Sequence, residues 1–278
     1  EIKDIPGKVN VIVKDGVTEI GASAFEDCSG LASITLPDSV TKIGGDAFRW
    51  CGGLANITLP DSVTEIGCGA FCGCSGLTNI MIPESVTKIG SDTFRCCSGL
   101  TNITIPERVM EIGGYAFSEC KALTYITIPK SVMKIGQGAF YGCNGLMSIM
   151  LPESVTEIGF FAFCDCSNLE SIKVDENNRV YDSRENCNAI IEKSSNKLVI
   201  GCKNTKVPSG VTSIGLDAFN GCRGLTSITL PESVTEIDDA AFSDCNGLTN
   251  IVLPSGVTSI GARVFSDCNS LASIMFPD

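Results

Sequence analysis

Sixteen cysteines and no histidine set the chemical question for this 278-residue chain. Ten of the cysteines form one column, Cys28, Cys51, Cys74, Cys97, Cys120, Cys143, Cys166, Cys222, Cys245 and Cys268, spaced by 23 residues except across a single gap. Thiols at fixed spacing can build a disulfide framework, ligate a metal or supply nucleophiles. Without histidine there is no Ser-His or Cys-His pair, and most mixed-ligand zinc sites are removed. A reactive thiol would need a nearby Lys or Arg, or a helix N-terminus, to activate it. Stacked in register, neighbouring column cysteines would lie roughly 5 Å apart, but their side chains would run parallel and leave Cβ separations too wide for bridging. Because Cys is also a small, soft and commonly buried residue, the column reads as structural thiols filling a corner of the core. Cys68, Cys72, Cys96, Cys164, Cys187 and Cys202 lie off the column. Of these, Cys187 and Cys202 flank a hairpin pattern and form the one candidate disulfide.

The carboxylates offer less. Asp38, Asp61, Glu84 and Glu107 repeat acid over acid with one ligand per coil and read as solvated surface, and "DENN" at 175–178 lacks the order of a calcium loop, so no metal is expected there. No catalytic residues, metal ligands or cofactor-binding residues are assigned. A formal charge of −12 argues against nucleic acid and anionic membranes as partners. No run reaches the roughly 20 apolar residues that cross a bilayer, so no membrane insertion is expected. A monomer is expected.

The elements that hold these residues are repeats. Leucines from Leu31 to Leu169 and from Leu225 to Leu271 keep the 23-residue beat, as do the isoleucines three positions on. Ten of the thirteen phenylalanines, Phe25 to Phe163 and Phe219 to Phe265, hold a single position. A fixed period of this size signals a solenoid. In "LTSITLPESVTEI" the alternation Ile228, Leu230 against Ser227, Thr229 predicts a half-buried strand that Pro231 ends. "SVTEI" predicts a second short strand, and "AF..C" a short helical or 3-10 turn. The next column, Glu19, Lys42, Glu65, Lys88, Glu111, Lys134, Glu157, alternates in sign and pins the coils in register.

We expect a single mainly-β solenoid of about twelve coils over 1–278. Residues 1–25 would form an N-terminal cap or partial coil, and 175–208 an irregular coil with an inserted hairpin, "NAIIEK" and "KLVIG" around "SSN". The start at Glu1 without Met and the end on "SIMFPD" predict a mature or trimmed piece of a longer protein, truncated at its C-terminus.

The unit "L..ITLPESVTEIG..AF..C" and the insert "VDENNRVYDS...NAIIEK...KLVIGC" resemble the BspA-like leucine-rich repeat family over residues 9–277. Departures are Asp175 for the proline, Asp238 for the glycine and the abundance of cysteine. The resemblance implies a leucine-rich-repeat-like, right-handed curved superhelix with short parallel strands, on secreted or cell-surface proteins associated with adhesion. It carries no catalytic residues to transfer.

On that geometry the outward residues of the first strand would line the concave face. They are small, neutral and polar, and suit an extended macromolecular surface better than a deep pocket. Asn56, Asn79, Asn102, Tyr125, Met150 and Lys173 on this face, with the lone Trp50 at a turn, form the candidate binding patch. Tyr125 interrupts a polar column, and Tyr, Met and Phe are enriched where proteins meet. The expected function is non-enzymatic adhesion, with an extracellular protein or glycan ligand as partner. The alternative is a structural spacer that holds another domain of a longer surface protein away from the cell.

Overall fold

The computed structural model describes residues 7–276, so Glu1 to Pro6 of the expected N-terminal cap, and the last two residues, lie outside the described residues. The chain divides into two compact units, Glu1–Gly145 with Glu157–Ala162, and Leu146–Thr156 with Phe163–Asp278. Each is a stack of coils bearing short parallel strands, the solenoid that the repeat predicts.

In the first unit one sheet is Val9–Ile12, Leu31–Thr35 and Asn56–Thr58, paired in parallel with Ile34 against Ile57. The same side continues through single bridges from Met81 to Thr104 to Thr127. A second side carries two-residue strands in two sheets: Glu19–Ile20, Lys42–Ile43 and Glu65–Ile66, then Lys88–Ile89, Glu111–Ile112, Lys134–Ile135 and Glu157–Ile158. In register, glutamate faces lysine throughout each sheet, and Lys42 reaches both Glu19 (3.9 Å) and Glu65 (3.3 Å).

The corner after this strand is a run of turns with an alternating hydrogen-bond plan. Asp46, Phe48 and Trp50 donate their N–H groups to Cys68, Ala70 and Cys72 of the next coil, while Ala47, Arg49 and Cys51 donate three residues back within their own. The plan needs two left-handed residues per coil, for example Asp46 (φ 54°) and Trp50 (φ 57°). Asp recurs at both positions because its short polar side chain tolerates that conformation. The regular left-handed positions explain why this corner is not a helix.

The core is made of like residues over like. Phe25, Phe48, Phe71, Phe94, Phe117 and Phe140 stack with centroids 5.4–5.6 Å apart and planes within 9° of parallel. In the second unit Phe219, Phe242 and Phe265 do the same. Each such ring pair adds about 0.5–1.5 kcal/mol beyond its buried area.

The second unit pairs Ser148–Leu151 with Ser171–Val174, and Asn250–Val252 with Ser273–Met275. Its irregular coil contains the expected hairpin, Ile190–Glu192 antiparallel to Lys197–Ile200, which opens a six-stranded sheet continuing through Ser213–Ile214, Glu236–Ile237 and Ser259–Ile260. A third antiparallel strand, Tyr181–Asp182, covers the hairpin's other edge. Asn178 of the "DENN" stretch is a structural residue. It is 1% exposed, donates Nδ2–H to Pro152 O (2.8 Å) and Val155 O (2.9 Å), and accepts the N–H groups of Val180 and Tyr181 on Oδ1. Asp238, which replaces the repeat's glycine, pairs with Lys197 at 2.8 Å, anchoring the hairpin to a regular coil.

Candidate functional site

The cysteine column is structural in every described coil where its thiol contact is defined. Seven thiols donate to the phenylalanine carbonyl of the coil before: Cys51 to Phe25 (3.0 Å), Cys74 to Phe48 (3.0 Å), Cys97 to Phe71 (3.1 Å), Cys120 to Phe94 (3.1 Å), Cys143 to Phe117 (3.1 Å), Cys245 to Phe219 (3.2 Å) and Cys268 to Phe242 (3.0 Å), while Cys28 donates to Glu26 O at 3.7 Å. Burial disfavours the thiolate. It pushes Cys51, Cys143 and Cys222 up to about 12, and Cys97 and Cys120 strongly upward as well. These thiols are held away from nucleophilic chemistry.

All sixteen cysteines are free. The expected bridge between Cys187 and Cys202 is therefore absent, and each thiol has a carbonyl partner instead: Ala189 O at 3.8 Å for Cys187, Asn188 O at 3.3 Å for Cys202. Burial raises both, Cys187 to about 11. Among the described residues no group of three or more His, Cys, Asp or Glu is placed to hold a metal ion. No helix among them is long and apolar enough to cross a membrane.

The candidate patch falls in three places. In the first unit Asn56, Asn79, Asn102 and Tyr125 are exposed in one column along the first-strand side, with Tyr125 60% exposed and its hydroxyl accepting from Thr127 Oγ1 at 3.1 Å. Met81, in the adjacent column, is 79% exposed, as is Ile12 at the start of that column. In the second unit Met150 and Lys173 lie directly opposite each other on neighbouring strands, both exposed. Trp50 belongs to the corner of the first unit.

Trp50 is there because Gly73 lies beneath it. A Cβ on Gly73 (φ +75°) would sit 2.2 Å from the indole Cε3. Tyr115 has the same relation to Gly138, whose added Cβ would meet the ring at 2.3 Å. A large left-handed residue in one coil thus lies over a glycine in the next. Tyr115 is fixed further by Arg95, whose guanidinium lies 5.5 Å from its ring centroid, and by Gln137 Nε2, which donates to its hydroxyl at 3.1 Å.

Where glycine empties the coil between two larger ones, the corner hollows into a cavity of about 360 Å³. One wall is Asp46, Arg49 and Trp50; the floor is Cys68, Gly69 and Cys72; the far wall is Asp92, Arg95 and Cys96. Arg49 Nη1 donates to Asp46 at 3.3 Å and Arg95 Nη1 to Asp92 at 3.0 Å. Arg49 Nε is buried without a hydrogen bond, 3.9 Å from Glu26 Oε1. Three of the off-column cysteines meet here, a grouping that the linear spacing of Cys68, Cys72 and Cys96 does not announce.

Comparison with known proteins gives consistent relatives. The BspA type leucine rich repeat region matches over 8–122, 87–195 and 189–278. A leucine rich cell surface protein from Faecalibacterium prausnitzii is 31% identical, with a TM-score of 0.70 over 98% of this chain and 88% of that one. A leucine-rich repeat protein from Bacteroides ovatus is 29% identical, with a TM-score of 0.63 over 94% of this chain and 71% of that one. The pneumococcal vaccine antigen PcpA shares the fold at 22% identity, with a TM-score of 0.58 over 98% of this chain and 72% of its own. The search of curated proteins gives no match. The chain belongs to the BspA-type leucine-rich repeat family.

Proposed function

We propose that this chain is a non-enzymatic repeat protein of the cell surface or secreted space that binds an extracellular protein or glycan through the first-strand side of its coils. The observation that carries the reading is the exposure of Met81 and Tyr125, 79% and 60%, among the threonines and asparagines of the first unit's first-strand side, in columns where the other large apolar side chain is the terminal Ile12. A core residue contributes nothing to recognition from inside the stack; a large side chain kept out of it at no packing gain is free to anchor a partner. The neutral threonine and asparagine hydroxyls and amides around them offer donors and acceptors suited to peptide backbone or sugar. The F. prausnitzii relative, described as a cell surface protein, supports the location.

Binding of the chain to immobilised extracellular-matrix proteins and to a glycan array tests this. Tyr125→Ala and Met81→Ala are expected to weaken a captured partner about tenfold each, roughly 1.4 kcal/mol. Retention of full affinity in the double variant would discard this face as the contact. Absence of binding across both panels would favour the spacer reading.

A further inference from the structure

We propose that the corner cavity captures a symmetric, doubly zwitterionic disulfide of the cystine type by thiol-disulfide exchange. Of the sixteen cysteines, Cys68 is exposed, Cys96 and Cys268 are partly exposed, and the rest are buried. Two of the three accessible thiols therefore line one cavity. Its floor holds a third, Cys72, which is 6% exposed.

The walls specify the ligand class. Each presents one carboxylate and one guanidinium, Asp46 with Arg49 and Asp92 with Arg95. The two walls are two coils apart, about 10 Å. Each arginine spends Nη1 on its own aspartate, which leaves further N–H groups for a ligand carboxylate, and each aspartate can accept from an ammonium. A molecule with an ammonium and a carboxylate at both ends and an S–S bond at its centre would match this pattern, with its sulfurs over the thiols between the walls. The volume of about 360 Å³ lies in the range of small-molecule sites.

The step balances as exchange. Cys68 or Cys96 gives its proton to solvent, and the thiolate attacks one ligand sulfur. A new S–S bond joins protein and half-ligand, the ligand's own S–S bond breaks, and the other half departs with the electron pair and takes a proton from solvent. The protein thiol is oxidised and one ligand half is reduced.

The test uses the whole chain, incubated separately with cystine, dicationic cystamine and dianionic dithiodipropionate, and followed by intact mass, peptide mapping and the fluorescence of the single tryptophan. Cystine should add at Cys68 or Cys96 about tenfold faster than at Cys268 and faster than either other disulfide. Trp50 fluorescence should change with the same time course and return on reduction. Cys68→Ser with Cys96→Ser should abolish both signals. Labelling of Cys268 as fast as the cavity thiols, labelling of the buried column thiols, or equal rates for the three disulfides would overturn the proposal.

Discussion

Cys74 donates its thiol to the carbonyl of Phe48, 26 residues earlier, at 3.0 Å, and the same carbonyl accepts the N–H of Cys51 from its own coil. One oxygen thus closes a turn and ties down the next coil. This explains why the column is cysteine. Alanine would fill less space and donate nothing, while serine would place its oxygen on a shorter bond, farther from the acceptor. Cys97→Ala, which removes a fully buried member, is expected to cost about 1–2 kcal/mol from a cavity and a lost hydrogen bond. Cys268→Ala, at a partly exposed position, should cost less. Urea unfolding of the two variants beside the parent checks the order.

The buried thiols also predict how stability responds to alkali. Cys51, Cys143 and Cys222 titrate near 12 when folded, pushed up by desolvation, against 9.0 for an ordinary thiol. Their burial as neutral groups therefore supports the fold in full below pH 9, and that support falls as the pH rises from 9 towards 12, because the unfolded chain releases protons that the folded chain keeps. Each such thiol removes about 1.4 kcal/mol per pH unit in that window. The urea midpoint should be level between pH 7 and 8.5 and fall steeply above 9. A flat profile to pH 11 would contradict the assignment.

Trp50 and Gly73 form a size-matched pair that a substitution can break from either side. Gly73→Ala forces a Cβ into the indole and strains a left-handed backbone, with an expected loss of about 1–3 kcal/mol. In a Trp50→Ala background the steric part should vanish and only the backbone part remain. The double-mutant cycle measures the difference, and a coupling near zero would place the indole elsewhere.

Asn178 supplies the second unit's most exacting polar contact. Asn178→Ala would strip partners from two carbonyls and two N–H groups in a buried site. The expected loss is about 3 kcal/mol or more, since unsatisfied buried groups cost about 1–3 kcal/mol each and water re-enters only partly. Asn178→Asp should also be poorly tolerated, because its carboxylate has no N–H for the carbonyls of Pro152 and Val155. Thermal unfolding followed by circular dichroism reads both.

These cases show what the letters disclose and what they withhold. The repeat is legible because coils are stacked in register, so burial at Phe48 or Leu54 is repeated 23 residues on and becomes a column. The hairpin at 190–200 is legible from two β-rich runs around a polar tripeptide. Asn178 is not, since a fully satisfied buried asparagine and a solvated one are spelled alike. The corner is misread as helical because "AF..C" spacing does not reveal left-handed residues at Asp46 and Trp50. The cavity is hidden for a related reason. Its walls come from three successive coils, and only the pairing of Trp50 with Gly73 shows where a side chain is missing. Cys187 and Cys202 flank a hairpin, yet burial beside separate carbonyls leaves them unbridged.

The alternation of Glu19, Lys42, Glu65, Lys88, Glu111, Lys134 and Glu157 along the first unit gives the stack a parity. Excising one coil, 62–84 for instance, would carry Lys42 onto Lys88, whereas excising two would restore opposite signs. Chains of this kind should therefore lengthen and shorten by pairs of coils more readily than by single ones, an even-numbered grammar imposed on a molecule whose other columns count only by one.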